Sequence, residues 1–170
     1  IIKPIDSQFD LFPYQRLFLR ALMRYNQIYI TATRAASKSF LSVLGLYLQC
    51  VFIPNHRCSI VAPVKTQGVK IMRQKVEEIL KIWPLLEKEL EVFMGKPHMN
   101  FSKDVAELYF KNGSKFTCEG ATDSSRGLRL HSTFLDEVRD ADGDIISEVI
   151  LPQLNVSRRD ANGLVNPYEV

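Results

Sequence analysis

Cysteine is scarce in this chain, and glycine is missing where it would be most informative. Three cysteines, Cys50, Cys58 and Cys118, stand among 170 residues. They show no metal-ligand spacing, and His56 near Cys58 does not by itself make a zinc site. An odd, sparse set argues against a disulfide-stapled scaffold and fits reduced thiols in a cytosolic setting. No signal peptide is visible. The apolar run from Phe40 to Ile53 contains Ser42 and Gln49. It falls short of the roughly 20 residues that span a bilayer and reads as a buried helix. Neither sign of charge dominates: 22 basic and 19 acidic residues leave +3, which permits a nucleic-acid partner without pointing to one. There are no repeats and no low-complexity tract. Asp140-Ala-Asp142-Gly143-Asp144 hints at a calcium loop, but the twelfth-position Glu is absent and the reading fails.

What is present centres on Ile28-Tyr-Ile-Thr-Ala-Thr-Arg-Ala-Ala-Ser-Lys-Ser39. Its β-branched start, Ile28 to Thr33, predicts a buried strand. A small-residue turn, Lys38-Ser39 and a long apolar helix follow. Strand, small loop, Lys-Ser and helix is the layout of a phosphate-binding P-loop. The backbone N–H groups of Thr33, Arg34, Ala35, Ala36, Ser37, Lys38 and Ser39 are the candidate cradle. Lys38 adds a point charge, and the Ser39 hydroxyl is placed to ligate Mg²⁺. The usual pattern has two glycines where this chain has Ala32 and Ser37. Glycine serves there because the backbone comes close to phosphate or takes unusual dihedrals.

The rest of the chain, about one domain in length, falls into alternating helices and strands. A first helix opens at Asp10-Leu-Phe-Pro-Tyr-Gln15, with Pro13 in its first turn. Gln15 is either a solvated helix-start residue or, just upstream of such a loop, a reader of an adenine edge. Arg57 to Ala62 predicts a second strand, Pro63 to Gly68 a polar loop, and the following residues a long helix through Trp83. Leu85 to Phe93 suggests another short helix and Met94 to Asp104 a loop. Glu107 to Cys118 predicts a β-hairpin turning at Asn112-Gly113 in a type I′ turn. Arg129 to Leu135 predicts a strand ending in Asp136-Glu137, and Asp144 to Leu151 a last helix.

Phosphate loop, later strand and Asp-Glu form a set. Asp136 can hold Mg²⁺, and Glu137 can orient or deprotonate the attacking water. In open α/β sheets both would meet at the carboxyl ends of the strands. Arg34, inside the loop, can reach a γ-phosphate in cis. Arg126, in the small-residue loop before the Asp-Glu strand, is either a solvated cation or a group aimed at a neighbouring subunit's nucleotide.

This ordered set resembles the phage terminase large subunits, the ATPases of viral DNA-packaging motors. Thr33-Arg-Ala-Ala-Ser-Lys-Ser39, with Arg34 early in the loop, is similar to their variant Walker A motif. Phe12-Pro-Tyr-Gln15 resembles their adenine-reading element, and Ile60-Val-Ala-Pro63 with Gln67 their second strand and loop. Arg126-Gly127 and Leu135-Asp-Glu137 resemble the loop before Walker B and Walker B itself. The resemblance implies an α/β P-loop NTPase of the ASCE (RecA-like) type: a mostly parallel sheet flanked by helices, with a β-hairpin. It implies one ATPase domain over residues 1–170, a fragment of something longer, with no room for the nuclease domain. It implies ATP and Mg²⁺, double-stranded viral DNA, a portal protein and a small terminase subunit. Further implications are a homo-oligomeric ring on the portal, a monomer when isolated, and the cytoplasm of an infected bacterium. Two alternatives stay open: a helicase-like translocase, and a degenerate P-loop domain that hydrolyses nothing.

Overall fold

The computed structural model describes residues 4, 10–25, 27–33, 36–122, 129–137 and 142–154. Helix α1 (Pro13–Arg24) starts on Pro13, whose missing N–H costs nothing in a first turn. Gln15 closes that end: its Oε1 accepts from the Phe12 N–H at 2.9 Å. Helix α2 (Lys38–Phe52) is apolar nearly all round and accordingly buried, with Phe40 to Tyr47 out of solvent. Strand β1 (Arg57–Ala62) and helix α3 (Lys65–Ile82) follow. Pro84 ends the α3 pattern, and a 3-10 helix (Pro84–Glu89) leads into a small hairpin, β2 (Val92–Phe93) and β3 (Lys96–Pro97). Strands β4 (Met99–Phe101), β5 (Ala106–Tyr109), β6 (Lys115–Gly120) and β7 (Ser132–Leu135) complete the sheets. The last helix is α4 (Gly143–Ile145), continued by a π-helical stretch (Ile146–Ile150) and a final turn (Leu151–Gln153).

The main sheet has the order β4-β5-β6-β1-β7. β1 pairs in parallel with β6 and β7, while β5 runs antiparallel to both β4 and β6. Four of the five strands therefore point one way, and β5 alone is reversed. The expected mostly parallel sheet flanked by helices is present. β1, in the centre, alternates faces as a strand must. Cys58 and Ile60 join the main core with α2 and α3, while Val61 packs with Val149 and Ile150 of the last helix. The helices thus cover both faces. Where α3 crosses the sheet, a Cβ on Gly68 would sit 2.7 Å from Cys118 Sγ.

Several expectations need correction. Residues 28–33 form no strand and belong to no sheet. Ile28, Ile30 and Ala32 are half-buried and Tyr29, Thr31 and Thr33 exposed, so the strand alternation is there without a ladder. A strand needs a neighbour, and among the described residues β7 itself pairs only with β1. The 63–68 loop is shorter than predicted, because α3 already begins at Lys65. The helix expected over Leu85 to Phe93 is a 3-10 helix followed by β2, and the loop expected over 94–104 holds β3 and β4. β7 starts at Ser132 rather than Arg129.

The β5–β6 hairpin forms in register, Leu108 opposite Phe116. Its turn is not type I′, because Gly113 has φ +83° and Asn112 does not take a positive φ. The Gly113 N–H donates to Phe110 O at 3.0 Å and the Phe110 N–H to Ser114 O at 3.0 Å. That is a type I turn closed by a left-handed glycine. Packing chose it. Asn112 Nδ2 donates to the carbonyls of Cys50 and Val51 at the end of α2, at 2.7 and 3.1 Å. Ser114 Oγ donates to Ile53 O at 2.8 Å. The hairpin turn caps the helix that starts at Lys38.

Candidate active site

The loop leading into α2 is built by its backbone. The Ala36 N–H reaches Thr33 O at 3.4 Å, and Ser37 takes φ 57°, ψ 25°. That left-handed conformation suits glycine, and Ser37 stands where the motif has glycine. Its carbonyl accepts the first helical bond, from the Leu41 N–H at 2.9 Å. No side chain caps α2, and its first turn holds no acidic residue. The N–H groups of that turn and the positive end of the helix dipole are thus left for an anion. Lys38 Nζ folds back to donate to Ala32 O at 3.1 Å, across the mouth of the loop. Ser39 is half-buried one residue on.

Asp136 and Glu137 leave the carboxyl end of β7. The Asp136 N–H continues the ladder to Val61 O at 3.0 Å, so the backbone at Asp136 is fixed to the central strand. Burial pushes the Asp136 carboxyl above the usual carboxylate range, and the neighbouring Glu137 charge adds to it. The Glu137 backbone N–H and the Lys38 ammonium pull the other way. Lys38 and Asp136, 98 positions apart in the chain, therefore feel one another's charge. Glu137 is exposed and has φ +50°, a left-handed backbone for a side chain that seldom adopts one. Backbone strain of that kind gathers at functional positions.

The other predicted residues divide. Gln15 is buried, not solvated, and its carbonyl oxygen is taken by the cap. Thr33 and Ala36 flank the loop. Arg34, Ala35 and Arg126 lie outside the described residues. The sequence does not single out the Lys65–Glu119 ion pair, Nζ to Oε2 at 3.4 Å. It closes the same end of the sheet, where the Ala121 N–H bonds Ala62 O at 3.0 Å. Burial, with the neighbouring Glu119 charge adding to it, pushes the Cys118 thiol up to about 12. Nothing in its spacing distinguishes Glu119 from any polar strand residue.

Among the described residues no cluster of three or more His, Cys, Asp or Glu could hold a metal ion on its own. Asp136 and the Ser39 hydroxyl are oxygen donors, the type a hard divalent cation takes when substrate phosphate completes its shell. No helix among the described residues is long and apolar enough to cross a membrane.

No family model and no curated protein matches the sequence. Solved structures match the fold. The large terminase ATPase domain of Thermus phage P74-26 superposes with a TM-score of 0.52 at 22% identity, over 71% of this chain and 51% of that one. A single-residue mutant of the same domain gives 0.51 at 21%, over 71% and 52%. The likeness shows the fold. This chain spans about half the length of each of those domains.

Proposed function

We propose that this chain is the ATP-hydrolysing motor domain of a viral DNA-packaging terminase large subunit, driving double-stranded DNA into procapsids. The observation that carries the reading is the build of the start of α2, a left-handed Ser37 ahead of an uncapped first turn that bears Lys38, with Asp136 fixed to the central strand at the carboxyl end of β7. An NTPase needs a phosphate cradle and a metal-holding carboxylate at one end of one sheet. The likeness to a large terminase ATPase domain supports the same reading. In it, residues 33–39 are the P-loop, with Lys38 against the β- and γ-phosphates. Ser39 and Asp136 would hold Mg²⁺, which would supply neutralisation of phosphate charge. Glu137 accepts the proton of the attacking water. Arg34 serves in cis and Arg126 towards a neighbouring subunit. Gln15 presents its amide nitrogen to adenine, its oxygen being held by the Phe12 N–H. The sheet is then of the ASCE type. The partners are the portal, the small terminase subunit, double-stranded DNA and further copies in a ring, in the cytoplasm of an infected bacterium.

The left-handed Ser37 bears on the non-hydrolysing alternative. That alternative draws on the missing glycines, yet Ser37 takes a glycine-like conformation where one of them would stand. The test is Glu137→Gln. It should bind ATP as the parent does and lose turnover by on the order of 10²-fold or more. Equal turnover would remove Glu137 as the base. Absence of both binding and turnover in the parent chain would remove the ATPase reading.

A further inference from the structure

β7 is four residues long, pairs only with β1 among the described residues, and carries Ser132 and Thr133 in its first half. Such a strand is weakly fixed along its own axis. Its polar residues fix it. Thr133 Oγ1 lies 3.0 Å from Ser59 Oγ and 3.2 Å from Ser59 O on β1. Ser132 Oγ donates to Gln49 Oε1 on α2 at 2.7 Å. It stands 2.6 Å from His56 Nε2. With the Ser132 proton turned towards Gln49, His56 is the donor in that contact. Gln49 Nε2 donates in turn to Leu22 O on α1 at 2.9 Å.

The geometry points to Gln49 as a positioning residue that sets the spacing of Lys38 and Asp136 from the far end of the domain. Lys38 precedes Gln49 by eleven residues of α2, about 16 Å of helix. Asp136 follows Ser132 by four residues, about 13 Å of strand. Helix and strand run in opposite senses here: α2 passes directly into β1, and β7 lies parallel to β1, so Gln49 meets Ser132 at one end while Lys38 and Asp136 lie towards the other. They form two rods braced at the base. Break the brace and β7 keeps its ladder to β1 but loses its side-chain tie to α2. The metal carboxylate then shifts relative to the phosphate lysine, while the loop itself, on α2, is untouched. Gln49 also holds α1, and so the element bearing Gln15, to the same joint.

This rests on the proposed ATPase reading, and the experiment separates the two. ATP affinity is measured by calorimetry with and without Mg²⁺, on the parent chain, Lys38→Ala, Gln49→Met, Ser132→Ala, Ser132→Thr and the double variant Gln49→Met/Ser132→Ala. The parent should bind ATP, and Lys38→Ala should not. Ser132→Ala, which leaves Gln49 on α1, should keep the metal-free affinity, and both Ser132→Ala and Gln49→Met should lose on the order of 10-fold of the gain that Mg²⁺ brings. Ser132→Thr, which keeps the hydroxyl, should keep the gain. The double variant should be no worse than either single one, as for two halves of one contact. Should Gln49→Met fail to fold, Ser132→Ala leaves α1 tied to α2 and makes the same test. A full Mg²⁺ gain in both single variants overturns the brace. So does a metal-free affinity that falls in step in Ser132→Ala, the mark of a merely structural role, or additive losses of the Mg²⁺ gain in the double variant. A parent chain that does not bind ATP overturns the ATPase reading and the brace with it.

Discussion

Replacing Ser37 by glycine should stabilise this protein, against the usual cost of placing glycine at a helix end. Ser37 sits at φ 57°, ψ 25°, with no side-chain cap bond to lose. A left-handed backbone costs a residue with a Cβ roughly 1–2 kcal/mol. Glycine removes that cost and adds about 0.4–1 kcal/mol of unfolded-state entropy. The net gain is about 0.5–1 kcal/mol. For a chain of this size that is about 1–4 °C in Tm. Ser37→Val should go the other way, because a β-branched side chain is a true outlier in that region. It should lose about 1–2 kcal/mol more than serine does. Thermal and urea unfolding of the three proteins, without nucleotide, measure this directly. The order Gly, Ser, Val in falling stability is expected. If valine were neutral and glycine destabilising, Ser37 would not be left-handed, and the loop would not have the glycine-like shape that supports phosphate binding.

Other predictions follow from single contacts. Asp136→Asn should stabilise the metal-free protein at neutral pH. Its carboxyl is held above the ordinary range, so the stability that the neutral acid contributes is complete below the ordinary value and is lost as pH rises through the raised one. Urea titrations across pH should show the advantage of Asn vanish in acid and grow as pH rises. Asn112→Ala leaves the carbonyls of Cys50 and Val51 without their donor and should cost about 1–2 kcal/mol in urea unfolding. Gly113→Ala puts a Cβ 2.4 Å from Asn55 Oδ1 at φ +83° and should cost about 2 kcal/mol or more by the same measurement.

Elements with local signals were legible in the sequence. Arg57–Ala62, with Ile60 and Val61 at its centre, reads as a strand bounded by Pro54-Asn55 and Pro63, and it is one. The hairpin reads from alternation around Asn112-Gly113, and its pairing is as expected. Its turn type is not legible, because the side chains of Asn112 and Ser114 are committed to the end of α2, about sixty residues upstream. The β-branched run over 28–33 reads as a strand but forms none, since pairing depends on a neighbour that local sequence does not name. Ser132 and Thr133 read as interruptions of an apolar strand. In the fold they are its anchors to α2 and β1. Within the candidate site, Lys38 and Asp136 could be named from their motifs. Their approach, and the role of Gln49 at the opposite end of α2, belong to the tertiary arrangement.

The most direct test of the central claim is ATP binding to the parent chain and to Lys38→Ala, measured side by side in excess Mg²⁺. The left-handed Ser37, the uncapped first turn of α2 and the charge of Lys38 on that turn together predict that the parent binds and the variant does not. Unchanged affinity in Lys38→Ala would contradict a phosphate site at the start of α2.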